Sequence, residues 1–137
     1  MERDRQSVRI FKTKVFARFA RRMGISDATL REAIARAERG LVDADLGGGV
    51  IKQRVARPGQ GRSGGFRVLI AYRAKTRSVF LFGFAKSARG NVEDDELATA
   101  REIAKVWFEA DSKALTRALA EGIIQEVDNG QEEQKED

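Results

Sequence analysis

An α+β fold is predicted by three features of this 137-residue sequence. Two short stretches near the start repeat apolar residues at helical spacing. Three later runs alternate at the two-residue period of strands, joined by tight or glycine-rich links. A third helical pattern follows them. The expected architecture is an N-terminal helical hairpin and a C-terminal helix packed on a small antiparallel β-sheet. Residues 1–127 are expected to form a single domain and residues 128–137 a disordered acidic tail. With 42% apolar and 34% charged residues, the chain can build a core under a strongly hydrated surface.

Residues 8–11 alternate weakly, as a short first strand would. Phe16, Phe19, Ala20 and Met23 then fall at i, i+3, i+4 and i+7, one helical stripe, with Lys14, Arg18, Arg21 and Arg22 on the other faces and Gly24 at the stop. Ser26 suits the N-cap of a second helix with the stripe Leu30, Ala33, Ile34 and Ala37, closed by Gly40. Strands are expected over residues 50–56, 66–74 and 78–84. The segment PGQGRSGG joins the first two and Lys75-Thr76 the last two, so an antiparallel meander is favoured over crossovers. Parity puts Lys52 and Arg54 on one side of the first of these strands and Ile51 and Val55 on the other. It separates Phe66, Val68, Ile70 and Tyr72 from Arg67 and Arg73 in the second. Asn91 is the expected cap of a third helix. Its first turn, residues 93–96, is all acidic, which fits the positive end of the helix dipole better than a metal site. Leu97, Ala100, Ile103, Ala104 and Trp107 form its inner stripe. A shorter helix over residues 112–121 ends at Gly122. Phe11, Phe16, Phe19, Phe80, Phe82, Phe84 and Trp107 fit core stripes and make no stacking platform for bases.

Several functions are excluded by what is missing. The chain has no cysteine and no histidine, so it has neither disulfides, thiolate metal sites nor imidazole chemistry. No apolar run approaches the ~20 residues of a membrane span, and the first ten residues hold no apolar signal core. A soluble cytoplasmic protein is expected. Charge is distributed unevenly. Residues 1–90 hold 21 basic and 7 acidic side chains, a net +14, while residues 91–137 hold 5 and 14, a net −9. Between Asp45 and Glu93 stand ten basic residues and no acid: Lys52, Arg54, Arg57, Arg62, Arg67, Arg73, Lys75, Arg77, Lys86 and Arg89. Solvated surfaces mix both signs, so a stretch this one-sided points to a polyanion, nucleic acid above all. An acidic protein, or the chain's own acidic end folding back at low salt, is the alternative.

Gly59, Gly61 and Gly64 match G-x-G-x-x-G, yet a strand rather than a helix follows, so a dinucleotide-binding turn is ruled out. The segment reads as a hairpin loop carrying Arg57 and Arg62, either a plain turn or a cover for a phosphate backbone. The cationic sheet face carries more. Lys52, Arg54 and Arg67 lie on adjacent strands, and Lys86 and Arg89 follow the last one. Such a cluster can cradle a phosphodiester, and it can also cleave RNA. A lysine crowded by cations loses its proton more easily and can serve as base, while arginine stays charged and stabilises the phosphorane. Charge pattern alone favours plain binding.

The run Val50-Ile-Lys-Gln-Arg-Val-Ala-Arg-Pro-Gly-Gln-Gly-Arg-Ser-Gly-Gly-Phe-Arg-Val, followed by Phe82-Gly-Phe-Ala-Lys-Ser-Ala-Arg-Gly-Asn, resembles the RelE-type toxins of bacterial toxin–antitoxin modules. The resemblance covers roughly residues 8–122 and the order of elements. It implies a RelE/ParE-like fold and translation inhibition by ribosome-dependent cleavage of mRNA, with no metal or other cofactor. The implied partners are mRNA on the ribosome and a cognate antitoxin, with no membrane. Position by position, it implies that Arg67 stabilises the phosphate, that Lys52 and Arg54 supply the base and a second cation, and that Lys86 and Arg89 bind the scissile phosphate or leaving group. Arg57, Arg62 and Arg73 would add RNA contacts. The family's tyrosine just after that turn is missing, since this sequence reads Gly90-Asn91-Val92-Glu93 there. A sister branch inhibits DNA gyrase without cutting RNA, so a non-cleaving toxin or a binding module is the alternative.

Overall fold

The structure, a computed structural model, describes residues 8–57, 61–89 and 91–128. The first strand, β1 (Arg9–Thr13), runs directly into α1 (Lys14–Met23). Thr13 caps that helix: its hydroxyl accepts from the Phe16 N–H at 3.1 Å and donates to the Leu81 carbonyl at 3.0 Å. Gly24 stops α1 at φ 72°, a left-handed conformation that glycine adopts without strain. Ser26 then caps α2 (Asp27–Glu38), accepting from the Thr29 N–H at 3.2 Å. Both predicted N-terminal helices are therefore present with their predicted stops.

The sheet is larger than predicted and is not purely antiparallel. Strands β2 (Ala44–Asp45), β3 (Val50–Arg57), β4 (Gly61–Arg73) and β5 (Arg77–Ala85) form the expected antiparallel run, with β2 as an extra edge. After α3 (Asp94–Glu109) and α4 (Ser112–Ala120), a final strand β6 (Ile124–Glu126) joins β1. The order is β2-β3-β4-β5-β1-β6, and β1 lies parallel to β5, pairing Ile10 with Ser78 and Lys12 with Phe80. A parallel pair requires a long crossover, and the whole segment from α1 through β4 supplies it. β6 holds one fully buried side chain, Ile124, so it leaves almost no periodic trace.

Two local expectations also change. β4 begins at Gly61, so the second half of the predicted glycine-rich link is strand, paired through a bulge between Val55 and Arg57. A Cβ on Gly65 would stand 2.2 Å from the Val55 carbonyl oxygen, so β3 and β4 approach this closely only because the residue is glycine. The N-cap of α3 is Glu93 and not Asn91: the Glu96 carboxylate accepts from the Glu93 N–H at 3.0 Å, while Asn91 accepts from the Val92 N–H.

Helices cover both faces of the sheet. On one, α1 and α2 bury Phe16, Phe19, Leu30, Phe66, Ile70 and Phe80. On the other, α3 and α4 bury Phe11, Leu69, Val79, Ala104 and Leu115. Each fully buried large side chain contributes about 1.5–3 kcal/mol. Phe82 and Trp107, expected in the core, are only half-buried. Gln53, the one fully buried amide among the described residues, is satisfied: it accepts from the Asp43 N–H at 2.8 Å and donates to the carbonyls of Ala33 and Leu41. Of the predicted acidic tail only Asp128 is described, its N–H donating to Asp27 at 3.0 Å and its carbonyl accepting from Arg31; residues 129–137 lie outside the described residues. Among the described residues no helix is long and apolar enough to cross a membrane.

Candidate active site

Three strands bring the cations together on the α3 face of the sheet. Arg54 on β3 lies directly opposite Arg67 on β4, and Arg67 lies opposite Phe84 on β5. Residues so paired have Cβ atoms about 4.5–5.5 Å apart, and like charges in that relation are destabilising. Lys52 precedes Arg54 by two residues and shares its face. Arg67 is only 7% exposed. Burial pushes its guanidinium pKa down, the charge of Arg54 pushes it further, and Asp43 opposes both. Arginine stays protonated even so, which makes Arg67 a cation held in a place that favours a bound anion.

The backbone at Arg54 is fixed from the edge of the sheet. β2 pairs only from Ala44 onward, and at Asp43, just before it, side chains take over the hydrogen bonds to β3. The Asp43 carboxylate accepts from the Arg54 N–H at 2.7 Å, and Arg36 donates to the Arg54 carbonyl at 2.5 Å. Arg36 is itself buried and paired with Glu32 and Asp43. The turn after β5 closes the other flank. The Lys86 N–H donates to the Gly65 carbonyl at 3.0 Å, which sets Lys86 across from a residue two positions before Arg67, with its side chain exposed. Arg89 lies with its guanidinium carbon 4.5 Å from the Phe84 ring centroid and is paired with Glu96 at 2.7 Å. That hydrogen bond raises the Arg89 pKa and lowers that of Glu96, whose carboxylate is stabilised further by the Glu93 N–H.

Lys52, Arg54 and Arg67 therefore share one face of the sheet, with Arg89 beside them over Phe84, and the turn that carries Lys86 begins where β4 meets the end of β5. The other sequence candidates do not join them. Arg57 lies on the opposite face, 5.3 Å from the Phe66 ring centroid. Arg73 is at the far end of β4, over Phe108 at 4.5 Å. The backbone of Arg62 belongs to β4, and its side chain lies outside the described residues. Tyr72, the single tyrosine, donates its hydroxyl to Glu38 on the α2 face. Burial, then that bond, pushes its pKa well up. A mainly apolar cleft of about 360 Å³ opens beside the cluster, between the start of α1, β5 and the first turns of α3, and holds none of the cations.

Three contributors were not expected from the sequence. Asn91 accepts from the Lys52 ammonium at 3.4 Å, Glu96 holds Arg89, and Phe84 backs it. The nearness of Asn91 to Arg89 in the chain was the available signal, hidden by its suitability as a helix cap. Among the described residues no group of three or more potential metal ligands is arranged to hold an ion.

A family model described as the RelE toxin of the RelE/RelB toxin–antitoxin system matches residues 8–127. The chain belongs to the RelE toxin family. The matched segment begins just before β1 and ends just after β6, so it takes in every strand and helix among the described residues of the RelE-family toxin, including the two edge strands unforeseen in its sequence. No curated protein matches it.

Proposed function

We propose that this RelE-family toxin inhibits translation by cutting ribosome-bound mRNA, that its cation cluster holds the scissile phosphodiester, and that a cognate antitoxin neutralises it. The family match supports the toxin role. The observation that carries the chemistry is the Arg54–Arg67 pair, two guanidinium groups on facing residues with Lys52 beside them. In the reaction the 2′-hydroxyl attacks the adjacent phosphorus, a new O–P bond forms, and the bond to the 5′-oxygen breaks. A 2′,3′-cyclic phosphate and a free 5′-hydroxyl result. Lys52 takes the proton of the 2′-hydroxyl, Arg54 and Arg67 stabilise the charge growing on the non-bridging oxygens, and Lys86 donates to the departing 5′-oxygen. Arg89, held against Phe84, binds a neighbouring phosphate.

Mapping mRNA 5′ ends after induction tests this reading. Wild type is expected to give new ends within codons and to arrest growth, whereas Arg67→Ala gives neither. Arg67→Lys keeps the charge but not the planar two-pronged donor, and is expected to lose at least about tenfold of the cleavage. Full toxicity of both variants, with folding intact by circular dichroism, would overturn the site. A second reading, a toxin that binds without cutting, is favoured by one observation: the only tyrosine is on the other face, bound to Glu38. Growth arrest with no new mRNA ends would select it.

A further inference from the structure

Phe82 and Trp107, the two aromatic residues expected in the core and left half-buried, each line an open cleft. Phe82 belongs to the cleft of about 360 Å³ beside the start of α1. Trp107 belongs to a second, of about 420 Å³, between the end of α3, α4 and the turn before β6. Among the described residues five large apolar side chains are exposed, and four of them line these clefts. Val15 and Ile103 are in the first, Val106 and Ile123 in the second; the fifth, Leu41, lines neither. Single apolar residues scattered over a surface need no explanation, but four gathered around Phe82 and Trp107 make a patch.

The two clefts are neighbours. α3 walls both, with Ile103 in one and Val106 in the other, three residues apart and so on one side of the helix. Ile123 of the second cleft directly precedes Ile124, which pairs across β6 and β1 with Thr13 of the first. Together they form one apolar trough along α3.

Charge selects the occupant. Carboxylates of Asp95, Glu96, Glu109 and Glu121 line the trough, against the single guanidinium of Arg117. Glu96 is paired with Arg89, but among the described residues Asp95, Glu109 and Glu121 make no ion pair. Asp95 stands in the first turn of α3, where the helix dipole favours an acid. Glu109 ends α3 and Glu121 is the C-cap of α4, where the dipole disfavours one. A surface of this sign repels nucleic acid. A second copy seated by two-fold symmetry would set acid against acid. A protein segment with an apolar side and basic flanks fits both features.

We propose that the trough docks an amphipathic helix of the cognate antitoxin. Its apolar side meets Ile103, Val106 and Trp107, and it carries lysine or arginine toward Glu109 and Glu121. This rests on the reading of the chain as a toxin neutralised by an antitoxin, and deepens it by giving that partner a place and a chemistry. Glu96 belongs both to the trough and to the ion pair that holds Arg89. A segment seated there therefore reaches the flank of the cation cluster without filling it.

The test measures binding of the purified antitoxin to the full chain by calorimetry, together with growth of cells that express both. V106D/I123D places charge in the trough at two exposed sites, and L41D is the control at the exposed apolar residue outside it. V106D/I123D is expected to bind about thirtyfold more weakly or worse and to arrest growth despite the antitoxin, with L41D near wild type. Should circular dichroism show V106D/I123D unfolded, V106S/I123S gives the same comparison with a smaller loss. D95N/E121Q is expected to lose about two- to fivefold at low salt and less at high salt. Wild-type affinity in the trough variants, an equal loss in L41D, or no antitoxin binding by wild type would overturn the surface. So would an unchanged low-salt affinity of D95N/E121Q, or a toxin dimer that V106D/I123D dissociates. The outcome is separable from that of the cleavage reading. Missing mRNA ends with trough-dependent antitoxin binding would condemn the catalytic account alone.

Discussion

Glu96 and Phe84 hold Arg89 from two sides, one through a 2.7 Å ion pair and the other through its ring. Because the Glu96 carboxyl pKa is lowered in the fold, the pair adds stability above the ordinary carboxylate value of 4.5, and that contribution is lost as pH falls through the lowered pKa. Both side chains are about one-third exposed, so the contribution is at most about 1 kcal/mol. Thermal melts from pH 6 to pH 3 are expected to show a smaller acid loss in Glu96→Gln than in wild type, and parallel curves would contradict the pairing. At this scale the sequence was informative about which cations share a face, since Lys52 and Arg54 alternate with Ile51 and Val55 on a strand. It was silent about Glu96 and Asn91, because an acid or an asparagine before a helix is equally well explained as a cap.

The β3–β4 pair is the element on which the site depends. Gly65 lets the strands close beside the bulge, two residues before Arg67, and its missing Cβ is what the Val55 carbonyl occupies. Gly65→Ala is expected to cost about 1–3 kcal/mol in urea unfolding and to reduce cleavage out of proportion to that loss, because the backbone carrying Arg67 must shift. Unchanged stability would mean that the strands part there at little cost. The helices and the central meander were legible because their apolar periods run for several residues between clear stops at Gly24, Ser26 and Gly122. β1 was legible as a strand but not in its pairing, since five residues give no signal for a partner 68 positions away. β2 and β6 were too short to have a period at all.

Across the molecule, the uneven charge of the chain becomes an arrangement in space. The acid-free segment forms the central strands, and the acid-rich segment that follows forms α3, whose first turn reaches back to Arg89. The cationic face of the sheet and the exposed cations of α1 lie on opposite sides of the core that α1 and α2 form with the sheet. The central claim is that one phosphodiester seats against Arg54 and Arg67. A titration of isotope-labelled protein with a short RNA blocked by 2′-O-methyl groups, followed by NMR, tests it most directly. The account predicts shifts concentrated at residues 52, 54, 67 and 84–89 and abolished by Arg67→Ala. Shifts centred instead on Tyr72 and Arg73, or unaffected by the loss of Arg67, would contradict it.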